Sequence, residues 1–385
     1  MKNIQSEAKL TFGEATSIII GHGVGSGILS IPYLASRNSI TSLFVIMAGV
    51  YCINLLLHFM IAELSLNNDG AQFIKCFEHE LFTGRLKQVF TWLAFGLLGL
   101  SVVLNVSGFV VGAAAVLTSW FGLPKLAAEI LFYLAAAAVV FAGMKLVGLC
   151  EKIAVMSMAG VIGILVAETA IHGFVPTDAA FHSWTNVLAL FSMVSFALSA
   201  VMSVPQVVKG LDGDVKRIRA SIAAGTGVNL ALVLIITLTT MLGVGGGISQ
   251  NGALVDLSAA LGGWVAVVGY VFTLLALATS FWANTLNLRD VVNEQTHWGT
   301  RRSWALASVP SLCIALLGVS SFVGLTRLAG VVQVLTGVGV IVAYNRSRSR
   351  AGASPICGVL GSLPFQILVV AASLASTVGS VLKVV

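Results

Sequence analysis

The run Gly21-His22-Gly23-Val24-Gly25-Ser26-Gly27 puts four glycines into seven residues of an otherwise apolar stretch. Each glycine costs a helix roughly 1 kcal/mol relative to alanine, so the run offers backbone that can unwind. Unwound backbone in apolar surroundings is tolerated only where it lines a cavity or is buried in protein. A small-xxx-small packing face is the other use of such glycines, but here the small residues fall on all sides. If the helix breaks, the N–H groups of Gly25, Ser26 and Gly27 open its second half and suit a carboxylate. The carbonyls that end the first half can hold an ammonium or a small cation. One solute that bears both groups is an α-amino acid.

His22 lies inside the run and can serve as a neutral hydrogen-bonding residue, a proton carrier or a substrate contact. Further along, Ala276, Thr279 and Ser280 are spaced i, i+3, i+4, which puts one carbonyl and two hydroxyls on one helix face. Such a trio suits a hard monovalent cation, although Thr and Ser in apolar helices also bond back to their own carbonyls. Fixed charges are scarce. Glu14, Glu63, Glu129, Glu151 and Glu168 fall near the ends of apolar stretches, where interfacial solvation accounts for them, and His58 is also near an end. No residue is assigned a catalytic role, and no ATP-binding motif is present.

These residues need helices to position them. Of the 385 residues, 57% are hydrophobic and only 9% are charged, against about a quarter charged in soluble domains. Eleven apolar stretches have the length a bilayer demands: 12–35, 40–62, 88–119, 126–143, 153–171, 184–208, 220–243, 263–287, 304–322, 325–344 and 356–382. The first is too long for a signal peptide and lacks its cleavage pattern, so it stays in the protein. With the N-terminus inside, every Lys and Arg except Arg37, Lys125, Arg327 and Lys383 falls at a cytoplasmic end. That asymmetry is the positive-inside rule; it predicts a cytoplasmic N-terminus and an external C-terminus. The net charge of +6 therefore orients the chain and does not mark a nucleic-acid surface. Cys52, Cys76, Cys150, Cys313 and Cys357 show no CxxC spacing and are given no role.

An internal echo divides the chain. Gly27-Ile28-Leu29-Ser30-Ile31-Pro32 in span one and Ala200-Val201-Met202-Ser203-Val204-Pro205 in span six share one pattern: small, apolar, apolar, Ser, β-branched, Pro. Two five-helix halves, 12–171 and 184–344, related as inverted repeats with broken first helices, would produce it, leaving 356–382 as an additional eleventh helix. Span six has no glycine at its break, only Ser195, Ser199 and the helix-weakening Pro205. The polar segment 64–85 is expected along the cytoplasmic surface, and 243–262 is the longest outside connection. Either could gate or merely link.

At these residues the chain resembles the amino acid/polyamine/cation superfamily with the leucine-transporter fold, and more closely the bacterial aromatic amino acid (tryptophan/tyrosine) permease family. The resemblance rests on Gly21 to Pro32, on Ser203-Val204-Pro205 with Gly210-Leu211-Asp212-Gly213-Asp214 and Lys216-Arg217, and on Leu275-Ala276-Leu277-Ala278-Thr279-Ser280-Phe281. It implies a substrate site at the two breaks. The Gly23 carbonyl with the Phe196 and Ser199 region would receive the amine, and the Gly25, Ser26 and Gly27 amides the carboxylate. Asn105 would face the pocket and Phe196 would gate it. The cation position of sodium-coupled members falls on the carbonyls of Gly21 and Val24 with Ala276, Thr279 and Ser280. Some proton-coupled relatives carry a Lys in the middle of span five; that position is Met158 here, which argues against that route and leaves His22 as another. Many relatives carry Gly or His in the broken part of span six, where this chain has Ala and Ser.

The reading that follows is an all-α membrane protein of eleven transmembrane helices, built as a 5+5 inverted repeat in a bacterial inner membrane. It would be a symporter of a neutral, aromatic or other hydrophobic, amino acid, working by alternating access with sodium or proton coupling. A channel or an amino-acid sensor on the same scaffold is the alternative. A carrier of divalent metals would need acidic, Asn or Met ligands at the breaks, which the glycine run lacks.

Overall fold

A computed structural model describes residues 9–24, 27–177, 179–249, 253–318, 322–352 and 354–382, with the side chains at 27, 29, 253 and 322–336 set aside. Among the described residues every regular element is helical: fifteen α-helices and two short 3-10 turns.

The Thr11 hydroxyl accepts the Glu14 N–H (3.3 Å) and the Glu14 carboxylate accepts the Thr11 N–H (2.7 Å), a reciprocal cap that starts α1 (Phe12–Gly23). α1 stops in the glycine run, where Val24 leaves helical geometry at φ −72°, ψ 57°, and α2 (Gly27–Ser36) takes over. α3 (Ile40–Leu66) begins on a Ser39 cap, and the short α4 (Phe73–Glu80) follows a polar turn. α5 (Lys87–Phe121) ends at Gly122, whose φ of 67° is a left-handed cap that favours glycine. α6 (Lys125–Phe141) starts behind Pro124, and α7 (Met144–His172) follows.

The second interruption comes in span six. α8 (Trp184–Ala197) ends, Val201–Ser203 form a 3-10 turn, and α9 (Val204–Gly210) resumes with Pro205 in its first turn, where a missing N–H costs nothing. α10 (Val215–Val244) is capped by Asp214, which accepts the N–H groups of Lys216 (3.0 Å) and Arg217 (3.1 Å). Then come α11 (Ala253–Leu261), α12 (Trp264–Thr296), α13 (Thr300–Leu316), α14 (Phe322–Ala351) and α15 (Leu363–Val381).

Seven helical stretches among the described residues are long and apolar enough to cross a membrane: α3, α5, α7, α8 through α9, α10, α12 and α15. The other four expected spans coincide with α1 plus α2, α6, α13 and α14. Large apolar side chains such as Val45, Leu93, Leu134, Ile153, Met156 and Leu368 face outward, as lipid contact requires. Inside, α1 packs between α7, α10 and α12, and α8 packs on α2, α3 and α15. Both breaks are thereby enclosed by long, unbroken helices.

Several sequence expectations change here. The segment 64–85 is more than a surface strip, since α4 buries Phe73, Ile74, Cys76 and Phe77, and 243–262 contains α11. Glu14, Glu63 and Glu129 are buried rather than solvated at an interface. Glu14 pairs with Lys145 (2.6 Å) and Glu129 with Lys125 (3.7 Å). Glu63 accepts hydrogen bonds from the hydroxyls of Tyr344 (3.0 Å) and Ser354 (2.7 Å) and from the N–H groups of Ile356 (2.9 Å) and Cys357 (2.8 Å). Arg289 is likewise buried within α12, against Asp290 (2.6 Å), and does not sit at a loop. The cause is common to these residues: helices run past the apolar stretches, so polar groups at the edges meet protein instead of water.

Candidate functional site

The two breaks lie side by side. Gly23, at the end of α1, approaches so close to α8 that a β-carbon there would overlap Asn229 Nδ2 and come within 2.9 Å of the Ala197 carbonyl oxygen. Asn229 on α10 donates its Nδ2–H to that carbonyl (2.8 Å), while its buried Oδ1 has no hydrogen-bond partner. Across the break in span six, the Ala200 N–H donates to His58 Nε2 (3.0 Å). Since Nε2 accepts, Nδ1 carries the proton and donates to Thr226 Oγ1, 3.3 Å away on α10. His58 is fully buried, contrary to its expected place near a span end, because α3 continues to Leu66. His22 meets Ser203 of the 3-10 turn through Nδ1 (3.0 Å). Each break is thus tied to the other half of the chain by a side chain.

Of the expected substrate residues, Gly23 and His22 stand at the junction, and Gly27 opens α2. Gly25 and Ser26 lie outside the described residues. Phe196 is 39% exposed in the last turn of α8, and its carbonyl accepts the N–H of the half-buried Ser199 (3.1 Å). Asn105 is buried on α5 and makes no hydrogen bond with these residues among the described contacts.

The expected cation residues converge from α1 and α12. The Ile20 carbonyl is taken by the Val24 N–H (2.8 Å), the cap bond that ends α1. A β-carbon on Gly21 would come within 3.1 Å of Thr279 Cβ, which brings α12 against this helix end. Thr279 donates its hydroxyl to the Ala276 carbonyl (3.0 Å), the back-bonding alternative for that residue, and retains lone pairs. Ser280 does not back-bond: its buried Oγ has no hydrogen-bond partner. An orphaned hydroxyl and a second hydroxyl with free lone pairs, beside the carbonyl end of α1, fit a hard monovalent cation.

The same point of Gly21 is touched by a residue that sequence reasoning had placed at an interface. Glu151 on α7 is fully buried, its Oε2 would overlap a Gly21 β-carbon, and among the described residues neither carboxylate oxygen has a hydrogen-bond partner. The span-five side chain that touches Gly21 is Glu151, while Met158 lies buried in the apolar cluster that also holds Val24 and Ala276. α7 begins at Met144, seven residues before Glu151, so the carboxylate sits about 10 Å inside the helix although its apolar stretch starts later.

Comparison with known proteins gives a consistent set of likenesses. The tryptophan/tyrosine permease family model matches residues 9–379. Over 400 residues the chain is 26% identical to the tryptophan-specific transport protein of Pseudomonas aeruginosa (strain UCBPP-PA14), covering 95% of this chain and 93% of that one. Its fold is similar to that of MhsT in complex with L-phenylalanine, with a TM-score of 0.73 at 14% identity over 97% of this chain and 100% of the other. Mhp1, a nucleobase-cation-symport-1 family transporter in a closed conformation with bromovinylhydantoin bound, gives a TM-score of 0.62 at 13% identity, covering 97% and 94%. The fold is thus the leucine-transporter fold.

Proposed function

The chain belongs to the tryptophan/tyrosine permease family, and we propose that it is a symporter carrying an aromatic amino acid across a bacterial inner membrane by alternating access. The observation that carries this reading is the junction of two broken helices at Gly23 and Ala197. It supplies what a zwitterion needs where there is no water: helix-end amides for a carboxylate and helix-end carbonyls for an ammonium. The carboxylate would rest on the amides of Gly25, Ser26 and Gly27, and the ammonium on the carbonyls of Gly23 and the Phe196–Ser199 turn. Asn105 would line the pocket, and the exposed Phe196 ring would cover the aromatic side chain. The name of the Pseudomonas relative and the L-phenylalanine in the MhsT complex favour an aromatic solute.

Eleven spans arranged as 5+5 inverted repeats, with the N-terminus cytoplasmic and the C-terminus outside, are part of the same proposal. So is coupling to sodium at Gly21, Val24, Ala276, Thr279 and Ser280, a reading supported by the orphaned Ser280 hydroxyl. His22, engaged with Ser203, would hold the span-six break and contact substrate. Uptake of labelled tryptophan and tyrosine by the full-length protein in liposomes, under separate sodium and proton gradients, tests the whole. Saturable uptake stimulated by sodium is expected, and Thr279→Ala and Ser280→Ala should lose the sodium stimulation. Absence of any saturable amino acid uptake would refute the transport reading.

A further inference from the structure

Glu151 poses a charge problem. An ionised carboxylate in the middle of a membrane bundle is expensive, on the order of 2.5–3.5 kcal/mol even by insertion scales, and such groups are held only where something neutralises them. Among the described residues no basic side chain does so. Lys145, on the same helix, is committed to Glu14 (2.6 Å), and Lys152, the next residue, points outward and is exposed. Nor does a hydrogen bond serve: both oxygens are buried without a partner. What the carboxylate does meet is the end of a broken helix. It fills the notch of Gly21 at the carbonyl end of α1, the Thr279 β-carbon abuts the same notch from α12, and the neighbouring Ser280 hydroxyl is orphaned as well.

We infer that Glu151 is the anionic ligand of a monovalent cation held where α1, α7 and α12 meet, together with the hydroxyls of Thr279 and Ser280 and the Gly21 carbonyl. The inference rests on the proposed cation coupling and names the charged ligand that the sequence pattern did not contain. Oxygen donors of this kind select hard cations. The count of charges sets the valence: one carboxylate balances one positive charge, whereas a divalent ion would leave the buried site positive. It also supplies a coupling device. With the ion bound, the three helices share its ligands and a neutral centre. Closure around substrate is thereby favoured only when the ion is bound.

The test needs no transport. Thermal unfolding of the full-length protein in detergent, without amino acid, is followed as sodium chloride replaces choline chloride. The wild type is expected to gain stability with a saturable sodium midpoint. Glu151→Gln, nearly isosteric and uncharged, should raise that midpoint at least about tenfold, the scale of losing one partner of a buried charge pair. Where the Gln variant does not fold, Glu151→Asp keeps the charge and withdraws it by one methylene, and its midpoint should also rise. An unchanged midpoint in either variant overturns the assignment, as does a wild type that takes up tryptophan but shows no sodium-dependent stabilisation. Sodium stabilisation that depends on Glu151 in a protein that transports nothing would support the cation ligand while refuting the proposed transport, so the two failures are separable.

Discussion

At the scale of single residues, the site is governed by atoms that are missing. Gly23 permits the approach of α1 to α8 because no β-carbon stands between it and the Ala197 carbonyl. Gly23→Ala would force Asn229 and the α8 terminus apart, at about 1–3 kcal/mol for an overpacked contact, and tryptophan uptake should fall steeply. Gly13→Ala, where a β-carbon meets nothing within 4 Å, is the control and should be neutral in both uptake and thermal midpoint. A Gly23→Ala protein with wild-type uptake would contradict the junction described here. The glycine run announced this point plainly in the sequence, since its cost to a helix has no other compensation. Asn229, His58 and Glu151 were not legible in the same way. Asn229 and His58 are lone polar residues in apolar helices and Glu151 stands beside Lys152 at the edge of its apolar stretch, so only the packing of α3, α7 and α10 around the breaks reveals what they serve.

Among elements, seven of the stretches read from hydropathy are helices long and apolar enough to span, the first break falls in the glycine run, and the second falls at 198–200, just before the helix that Pro205 opens. The departures are at helix ends, because apolar length measures the bilayer and not the helix. α3 runs on to Leu66, which brings Glu63 into a buried position where it gathers four donors from the 344–357 region. A carboxylate accepting four hydrogen bonds is a strong staple, because each bond is charge-assisted. Glu63→Ala leaves two N–H groups and two hydroxyls unsatisfied and should cost roughly 2–4 kcal/mol. The measurement is thermal unfolding in detergent, and a midpoint equal to wild type would show that the 354–357 link is held by other means.

For the molecule as a whole, the end that carries the N-terminus is fastened shut. The Leu10 N–H donates to the Gly210 carbonyl (2.9 Å), Lys9 pairs with Asp212 (2.6 Å), and the Gln72 N–H donates to Glu294 (2.8 Å). Asn287 on α12 donates to both the Gln72 side chain (2.9 Å) and the Met202 carbonyl (2.7 Å). The proposed alternating access would require these ties to part. Cys76 on α4 reports on them: it is 2% exposed, and burial pushes its thiol well above the ordinary range, so it reacts only when this end opens. Asn287→Ala, by removing about 1 kcal/mol of hydrogen bonding, should raise the open population and the rate of maleimide labelling at Cys76 about fivefold. Unaltered labelling would mean that α4 stays seated in both states. The Glu63 staple has a mechanical corollary. It locks the lead-in of α15 and the Tyr344 turn of α14 to α3, so these three segments form one rigid body. A pair of spin labels on α3 and α15 should keep a constant separation through the cycle, giving a fixed frame from which the travel of α1 and α9 can be gauged.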